Sequence, residues 1–197
     1  MIRGWVFDLD GTLTVAQHDF DGIKQRLGLP ADRPVLEGIA LQPAAARAGL
    51  LERVHAWEED LADRARATPG AQELLADLTA RGLPIGVLTR NSRANARRTL
   101  AAARLDRWFA PEWVLGRDEA APKPSPDGLN WFAREWGLAP RELVMVGDFR
   151  FDLEAGRAAG TRVVWLDVDG AGTFSALADR VVTDLGALVG WDGGSLG

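Results

Sequence analysis

The chain has no cysteine among its 197 residues. That absence excludes disulfides, zinc–thiolate centres and a cysteine nucleophile. Long apolar runs are missing too: none approaches the ~18 residues that a membrane-spanning helix needs. The amino terminus passes straight into a short apolar segment and is expected to leave no room for a secretory leader. A cytoplasmic domain of enzyme size is the expectation. Neither sign of charge dominates, since 23 basic residues face 28 acidic ones for a net charge of −5. This argues against nucleic acid or an anionic membrane as the main partner, while a few local cations would suffice for one phosphate. No internal repeat or low-complexity linker is present. A hydrophobic fraction of 47% is ordinary for a globular protein. The length allows one domain, or a core domain with a modest insertion.

The most informative stretch is residues 5–14, Trp-Val-Phe-Asp-Leu-Asp-Gly-Thr-Leu-Thr. Trp5-Val6-Phe7 reads as a buried parallel strand, and it runs into Asp8 and Asp10. The carboxyl end of a parallel strand is where open α/β sheets place their ligands. Asp8 and Asp10 share a face only if the chain stays extended, and Gly11 permits a sharp turn directly afterwards. Two carboxylates this close repel unless a cation or a proton sits between them. The pair suggests a metal site, or a nucleophile with its acid/base partner; the plain alternative is two turn or cap aspartates.

Residues 15–67 differ in character from the rest of the chain. Asp19–Leu27 has the pattern of a short helix, stopped by Gly28 and Pro30. Pro34, Gly38 and Pro43 break the stretch 31–43. Ala44–Arg66 is rich in Ala, Leu, Arg and Glu, a strong helical composition. With no convincing strand, this region reads as a helical insertion. Thr68 then suits an N-cap and Pro69 the first helical position of a helix over 70–81. Strands are expected at Pro84–Leu88, Trp113–Leu115, Leu143–Val146, Arg162–Leu166 and Arg180–Val182, with helices over 92–103, 126–136 and 152–159. Short apolar strands alternating with helices indicate an α/β fold, a parallel sheet covered on both faces. The glycine-rich tail from Gly190 is expected to fray.

Four of these strand ends carry polar groups. The second strand ends in Thr89-Arg90-Asn91, where a hydroxyl and helix-start N–H groups could hold phosphate oxygens, or simply cap a helix. Lys123 lies between Pro122 and Pro124, which narrows the directions its ammonium can take. Val144-Met145-Val146-Gly147 leads into Asp148 and, four residues on, Asp152. Hard oxygen ligands at such a turn suit Mg2+, although Asp152 could serve only as a helix cap.

The order Asp-x-Asp, Thr, Lys, Gly-Asp-x-x-x-Asp, each at a strand end, resembles the haloacid dehalogenase superfamily over residues 3–166 outside the insertion. The resemblance implies a Rossmann-like catalytic core, residues 1–14 and 68–197, with a helical cap at 15–67. It implies that Asp8 is the nucleophile, forming an aspartyl-phosphate, and that Asp10 is the general acid/base. It implies Mg2+ held by Asp8, the backbone carbonyl of Asp10 and Asp148, with Asp152 bound directly or through water. The loop Thr89-Arg90-Asn91 and Lys123 would bind the transferring phosphate, with Thr89 and Lys123 counted among the catalytic groups. Family dehalogenases usually lack an aspartate at the position of Asp10, which favours a phosphatase. The cap resembles that of phosphoglycolate phosphatase-like members. Many of these continue as Asp-Gly-Thr-Leu-Val-Asp-Ser, whereas this chain reads Asp-Gly-Thr-Leu-Thr-Val-Ala. A small phosphorylated metabolite is the implied partner, for a monomer or homodimer. A phosphomutase of the β-phosphoglucomutase kind uses the same four motifs and is the alternative; a non-catalytic binding protein on the same fold is a third reading.

Substrate contacts beyond these motifs are less marked. His18 and Arg150 are candidates for specificity, and Arg90 or Arg150 could reach a second carboxylate or phosphate on the substrate. His55 and Trp57 fall on the long insertion helix, where packing of cap on core is the simpler role. Trp131, Phe132 and Trp136 have the helical spacing of core residues. Arg93, Arg97 and Arg98 read as a solvated basic stripe.

Overall fold

A computed structural model describes residues 1–16 and 19–194. Its centre is a six-stranded sheet in the order β3-β2-β1-β4-β5-β6, with every neighbouring pair parallel. The strands are β1 (Gly4–Phe7), β2 (Ile85–Leu88), β3 (Val114–Leu115), β4 (Leu143–Gly147), β5 (Arg162–Leu166) and β6 (Arg180–Val182). All four residues of β1 are buried, as expected for a central parallel strand covered on both sides.

The two-residue period of a strand decides which layer each side chain enters. Trp5 and Phe7 point into the larger apolar cluster, with Leu74, Leu75 and Leu78 of α4 (Ala71–Ala80) and Ala96 and Leu100 of α5 (Arg93–Ala102). Val6, between them, points the other way. It meets Leu129 and Phe132 of α6 (Asp127–Glu135) and Ala155 of α7 (Arg150–Ala159). Trp131 and Trp136 pack against that second cluster, the core role their spacing predicts.

The segment between β1 and α4 is helical, with α1 (Phe20–Leu27), α2 (Val35–Ala40) and α3 (Ala44–Ala62). It has its own apolar cluster of Ile23, Leu27, Leu29, Ile39 and Val54. The broken stretch 31–43 thus contains a short helix: Pro34 starts α2 rather than preventing it, and the Gln42 N–H closes it on the Ile39 carbonyl at 2.9 Å. The two chain segments entering and leaving this cap run side by side. The Val15 N–H donates to the Arg66 carbonyl (2.9 Å) and the Thr68 N–H to the Leu13 carbonyl (3.0 Å). Two boundaries shift at this pairing. It ends α3 short of Arg66 and ties Thr68 to Leu13, and Gly70, at φ +77°, is the residue that precedes α4. Among the described residues no helix is long and apolar enough to cross a membrane.

Candidate active site

β1, β2 and β4 bring their carboxyl ends together. The Asp8 N–H donates to the Val146 carbonyl at 2.9 Å, so the ladder runs one residue past β1 and fixes the Asp8 side chain beside the end of β4. The loop then turns at Gly11. Its φ is +98°, and a Cβ there would lie 2.4 Å from Asp148 Oδ2, so any larger residue would strain the backbone and displace that carboxylate. Thr12 Oγ1 donates to Asp148 Oδ1 at 2.8 Å, and the Trp165 indole N–H donates to the Asp148 carbonyl at 2.9 Å. Asp152 lies in the first turn of α7, two residues later in the helix than the sequence suggests. The helix begins at Arg150 because Asp152 reaches back to accept from the Phe149 N–H at 3.0 Å. Asp152 therefore supports the helix start and also faces the site. Gly147 permits this, since a Cβ on it would stand 2.2 Å from that of Asp152.

Carboxylate oxygens of Asp8, Asp148 and Asp152 lie within 4.8 Å of one another. Lys123, 2% exposed, joins the group through Asp8 and through Asp152 Oδ1 at 2.6 Å. Asp10 lines the same cavity but its carboxylate is not one of the trio. Burial drives the Asp8 carboxyl well above the usual range; Lys123 opposes this, and the charges of Asp152 and Asp148 add to it. Asp148 is pushed up to about 7 by burial and by Asp152, against its hydrogen bond from Thr12 and the charge of Lys123. For Lys123, burial acts to lower the value, but Asp152 and Asp8 outweigh it and the ammonium titrates above its ordinary range. The donor set is hard oxygen with excess negative charge, which fits Mg2+.

Thr89 is buried after β2, with its N–H on the Leu115 carbonyl (3.0 Å) and its hydroxyl accepting from the Asn91 N–H (3.1 Å). The capping of α5 falls to Ser92, whose Oγ accepts from the Asn95 N–H at 3.3 Å. Asn91 Oδ1 accepts from the Ser92 N–H at 2.9 Å and braces the loop. Arg90, placed by sequence near substrate anions, is committed to the cap. It reaches Glu37 Oε1 of α2 at 2.5 Å, donates to the Lys123 carbonyl, and lies 4.8 Å over the Phe151 ring. Arg150 pairs with Glu154 at 3.2 Å while lining the cavity. His18 lies outside the described residues. Trp57 lines the cavity and packs on the cap cluster, whereas His55 pairs with Glu59 at 3.6 Å. Of the basic stripe, Arg98 is not merely solvated, since it binds Asp63 at the end of α3 at 2.5 and 2.6 Å.

Sequence reasoning missed the other cap-to-core contacts. Arg117 makes a two-pronged pair with Glu58 of α3, at 2.9 and 3.1 Å. Glu37 and Arg90 are 53 residues apart, and no local pattern marks either as the other's partner.

Residues 2–160 match the family model described as haloacid dehalogenase-like hydrolase. The chain belongs to the haloacid dehalogenase-like hydrolases. Among the relatives of this hydrolase is a haloacid dehalogenase-like hydrolase domain-containing protein from Arabidopsis thaliana, 30% identical over 181 residues, which cover 86% of this chain and 72% of that protein. A phosphoglycolate phosphatase from Haemophilus influenzae is 34% identical over 110 residues, 56% of this chain and 49% of that enzyme. The chain thus spans about half the length of that phosphatase. In fold, the hydrolase is similar to a haloacid dehalogenase-family hydrolase from Deinococcus radiodurans with bound phosphate and sodium. The TM-score is 0.72 at 24% identity, covering 95% of this chain and 93% of that one. Family membership and the catalytic carboxylates make this protein an enzyme of the phosphatase type.

Proposed function

We propose that this hydrolase is a Mg2+-dependent phosphatase of small phosphorylated metabolites, working through a phosphorylated Asp8. The observation that carries the reading is the convergence of Asp8, Asp148 and Asp152 on one buried point beside Lys123. Bound there by the three carboxylates and the backbone carbonyl of Asp10, Mg2+ would offset the negative charge of the incoming phosphate. Lys123 aims Asp8 and opposes, without cancelling, the rise that burial imposes on its carboxyl. Asp8 then attacks phosphorus, forming the new P–O bond as the ester P–O bond breaks. Asp10 gives its proton to the leaving alkoxide, then takes one from the water that cleaves the aspartyl-phosphate. Thr89, the Arg90 N–H and Lys123 bind the transferring oxygens, and Asn91, whose N–H donates to the Thr89 hydroxyl, holds that loop in place. The cap, residues 15–67 in this reading, covers the reaction from water.

Phosphate release from 4-nitrophenyl phosphate, with and without Mg2+, tests this. Asp8→Asn is expected to lower the Mg2+-dependent rate by at least ~10^3-fold, as removal of a nucleophile does. A variant that keeps the wild-type rate would overturn the assignment. Because the Haemophilus influenzae relative is named for it, phosphoglycolate is the first metabolite to test.

A further inference from the structure

Lys123 is pinned at one end by its ammonium, which bridges Asp8 and Asp152. Its backbone needs a partner from another part of the chain, because Pro122 and Pro124 on either side carry no N–H. The loop's own bond runs from the Ser125 N–H to the Pro122 carbonyl at 3.0 Å, and it passes over the Lys123 carbonyl. The Arg90 guanidinium donates to that carbonyl. Lys123 is therefore held at both ends, by carboxylates on its side chain and by Arg90 on its main chain.

The same guanidinium touches two further elements. Nη1 serves the Lys123 carbonyl, Nη2 donates to Glu37 Oε1 of α2 at 2.5 Å, and the Phe151 ring lies 4.8 Å beneath the guanidinium carbon. Phe151 directly precedes Asp152, which takes the Lys123 ammonium at 2.6 Å. One flat, stiff group thus joins the cap, the Lys123 loop and the first turn of α7. Its N–H groups form a fixed fork, so a carboxylate seated on Nη2 sets the direction in which Nη1 points. Hydrogen bonds to a charged partner are also roughly twice as strong as neutral ones. Arg98 and Arg117 hold the cap too, through Asp63 and Glu58 of its last helix, but they lie outside the catalytic cavity. Arg90 holds the cap from a loop of the site itself, next to Thr89. The cap packs around its own apolar cluster, so its seating on the core is felt where such pairs cross the boundary.

We propose that Arg90 is a positioning residue that carries the seating of the cap, through Glu37, to the Lys123 loop, and so keeps the Lys123 ammonium where Asp8 and the transferring oxygens meet. Its effect on turnover rests on the phosphatase reading. The test measures kcat and KM with Mg2+ for 4-nitrophenyl phosphate and phosphoglycolate in wild type, Arg90→Ala, Arg90→Lys, Glu37→Ala and the double variant Arg90→Ala/Glu37→Ala. Hydrogen exchange of the metal-free proteins is read at the Ser125 N–H. Arg90→Ala is expected to lower kcat by ~10- to 100-fold, the cost of a displacement on the order of 1 Å. The same factor should hold for both esters, with KM moving by less than ~3-fold, because the loss is in the reacting group and not in substrate binding. Arg90→Lys keeps the charge without the fork and should fall within ~3-fold of the alanine variant. Glu37→Ala should lower kcat from the cap side, and the double variant should lose no more than Arg90→Ala alone, as residues acting through one path do. Ser125 should exchange faster in both single alanine variants while β1 and β4 keep their protection. A rise in KM for phosphoglycolate alone with kcat kept would make Arg90 a substrate contact and overturn the proposal. Wild-type kcat in Arg90→Lys, additive losses in the double variant, or unchanged Ser125 exchange overturns it as well. If neither ester shows Asp8-dependent turnover, the phosphatase reading falls on that result, and the Ser125 exchange decides whether Arg90 braces the loop.

Discussion

Asp148 is expected to destabilise the metal-free protein, so Asp148→Asn should stabilise it while abolishing activity. The sign follows from proton binding. The folded carboxyl titrates at about 7, against 3.8 for the ordinary group. Between those values the folded state holds a proton that the unfolded chain has released, so stability falls as pH rises through the window. About three pKa units at about 1.4 kcal/mol each give a penalty of about 4 kcal/mol, complete by pH 8, with less than about 2 kcal/mol present at pH 5. Asparagine has the same shape, keeps an oxygen for the Thr12 hydroxyl that Asp148 Oδ1 now accepts, and cannot ionise. Urea unfolding in a chelator should therefore find Asp148→Asn more stable than wild type by up to about 4 kcal/mol at pH 8, and the gain should shrink at pH 5. Added Mg2+ should close the gap at pH 8, because it stabilises the wild-type site by mass action, about 2.7 kcal/mol at a hundredfold excess over its Kd. A metal-free Asp148→Asn protein less stable than wild type at pH 8 would refute this: the charge of Asp148 would then cost the fold nothing.

Two further substitutions probe the scaffold. Gly11→Ala places a Cβ 2.4 Å from Asp148 Oδ2 on a residue at φ +98°; a loss of about 1–3 kcal/mol is expected, with weaker Mg2+ binding by titration calorimetry, whereas unchanged binding would show that the loop moves freely. Arg117→Ala removes the guanidinium that holds the Glu58 carboxylate at 2.9 and 3.1 Å across the cap–core boundary. About 3 kcal/mol should be lost, and hydrogen exchange should report it as lost protection in α3 with β1 and β4 unaffected.

The fold was legible where local pattern and burial coincide. Trp5-Val6-Phe7 reads as a central strand because both faces of a parallel sheet are covered, and Trp5 and Val6 do enter opposite layers. The carboxylates and lysine were legible for a similar reason. Asp8 and Lys123 are 115 residues apart, but both follow predicted strands, and parallel strands deliver their carboxyl ends to one edge of the sheet. What depends on the docking of one unit against another left no trace in sequence. Arg90 looks like a substrate cation until Glu37 of α2 is seen opposite it, and Arg98 looks solvated until the end of α3 is laid beside α5. The start of α4 moved as well. Thr68 has the chemistry of a cap, but its Oγ1 is buried with no hydrogen-bond partner among the described residues, and Gly70 precedes α4 instead.

Charge balance at the trio connects stability to function. Three carboxylates face one buried ammonium, so full ionisation leaves two negative charges uncompensated in a site largely shut off from water. Burial first, and the neighbouring carboxylates second, make Asp8 and Asp148 both titrate high, so the chain alone relieves the imbalance by taking up protons. A proton on Asp8 would quench the nucleophile, so the protonated state is stable but chemically idle. A divalent cation would supply the missing two charges without protonating any oxygen, and in the proposed mechanism it would restore Asp8 to the form that attacks phosphorus. An anionic phosphate would be repelled from the trio by itself, and is attracted only once the cation is in place. Under the proposed mechanism, this imbalance would set the order of assembly, metal before substrate, and would favour a divalent over a monovalent ion.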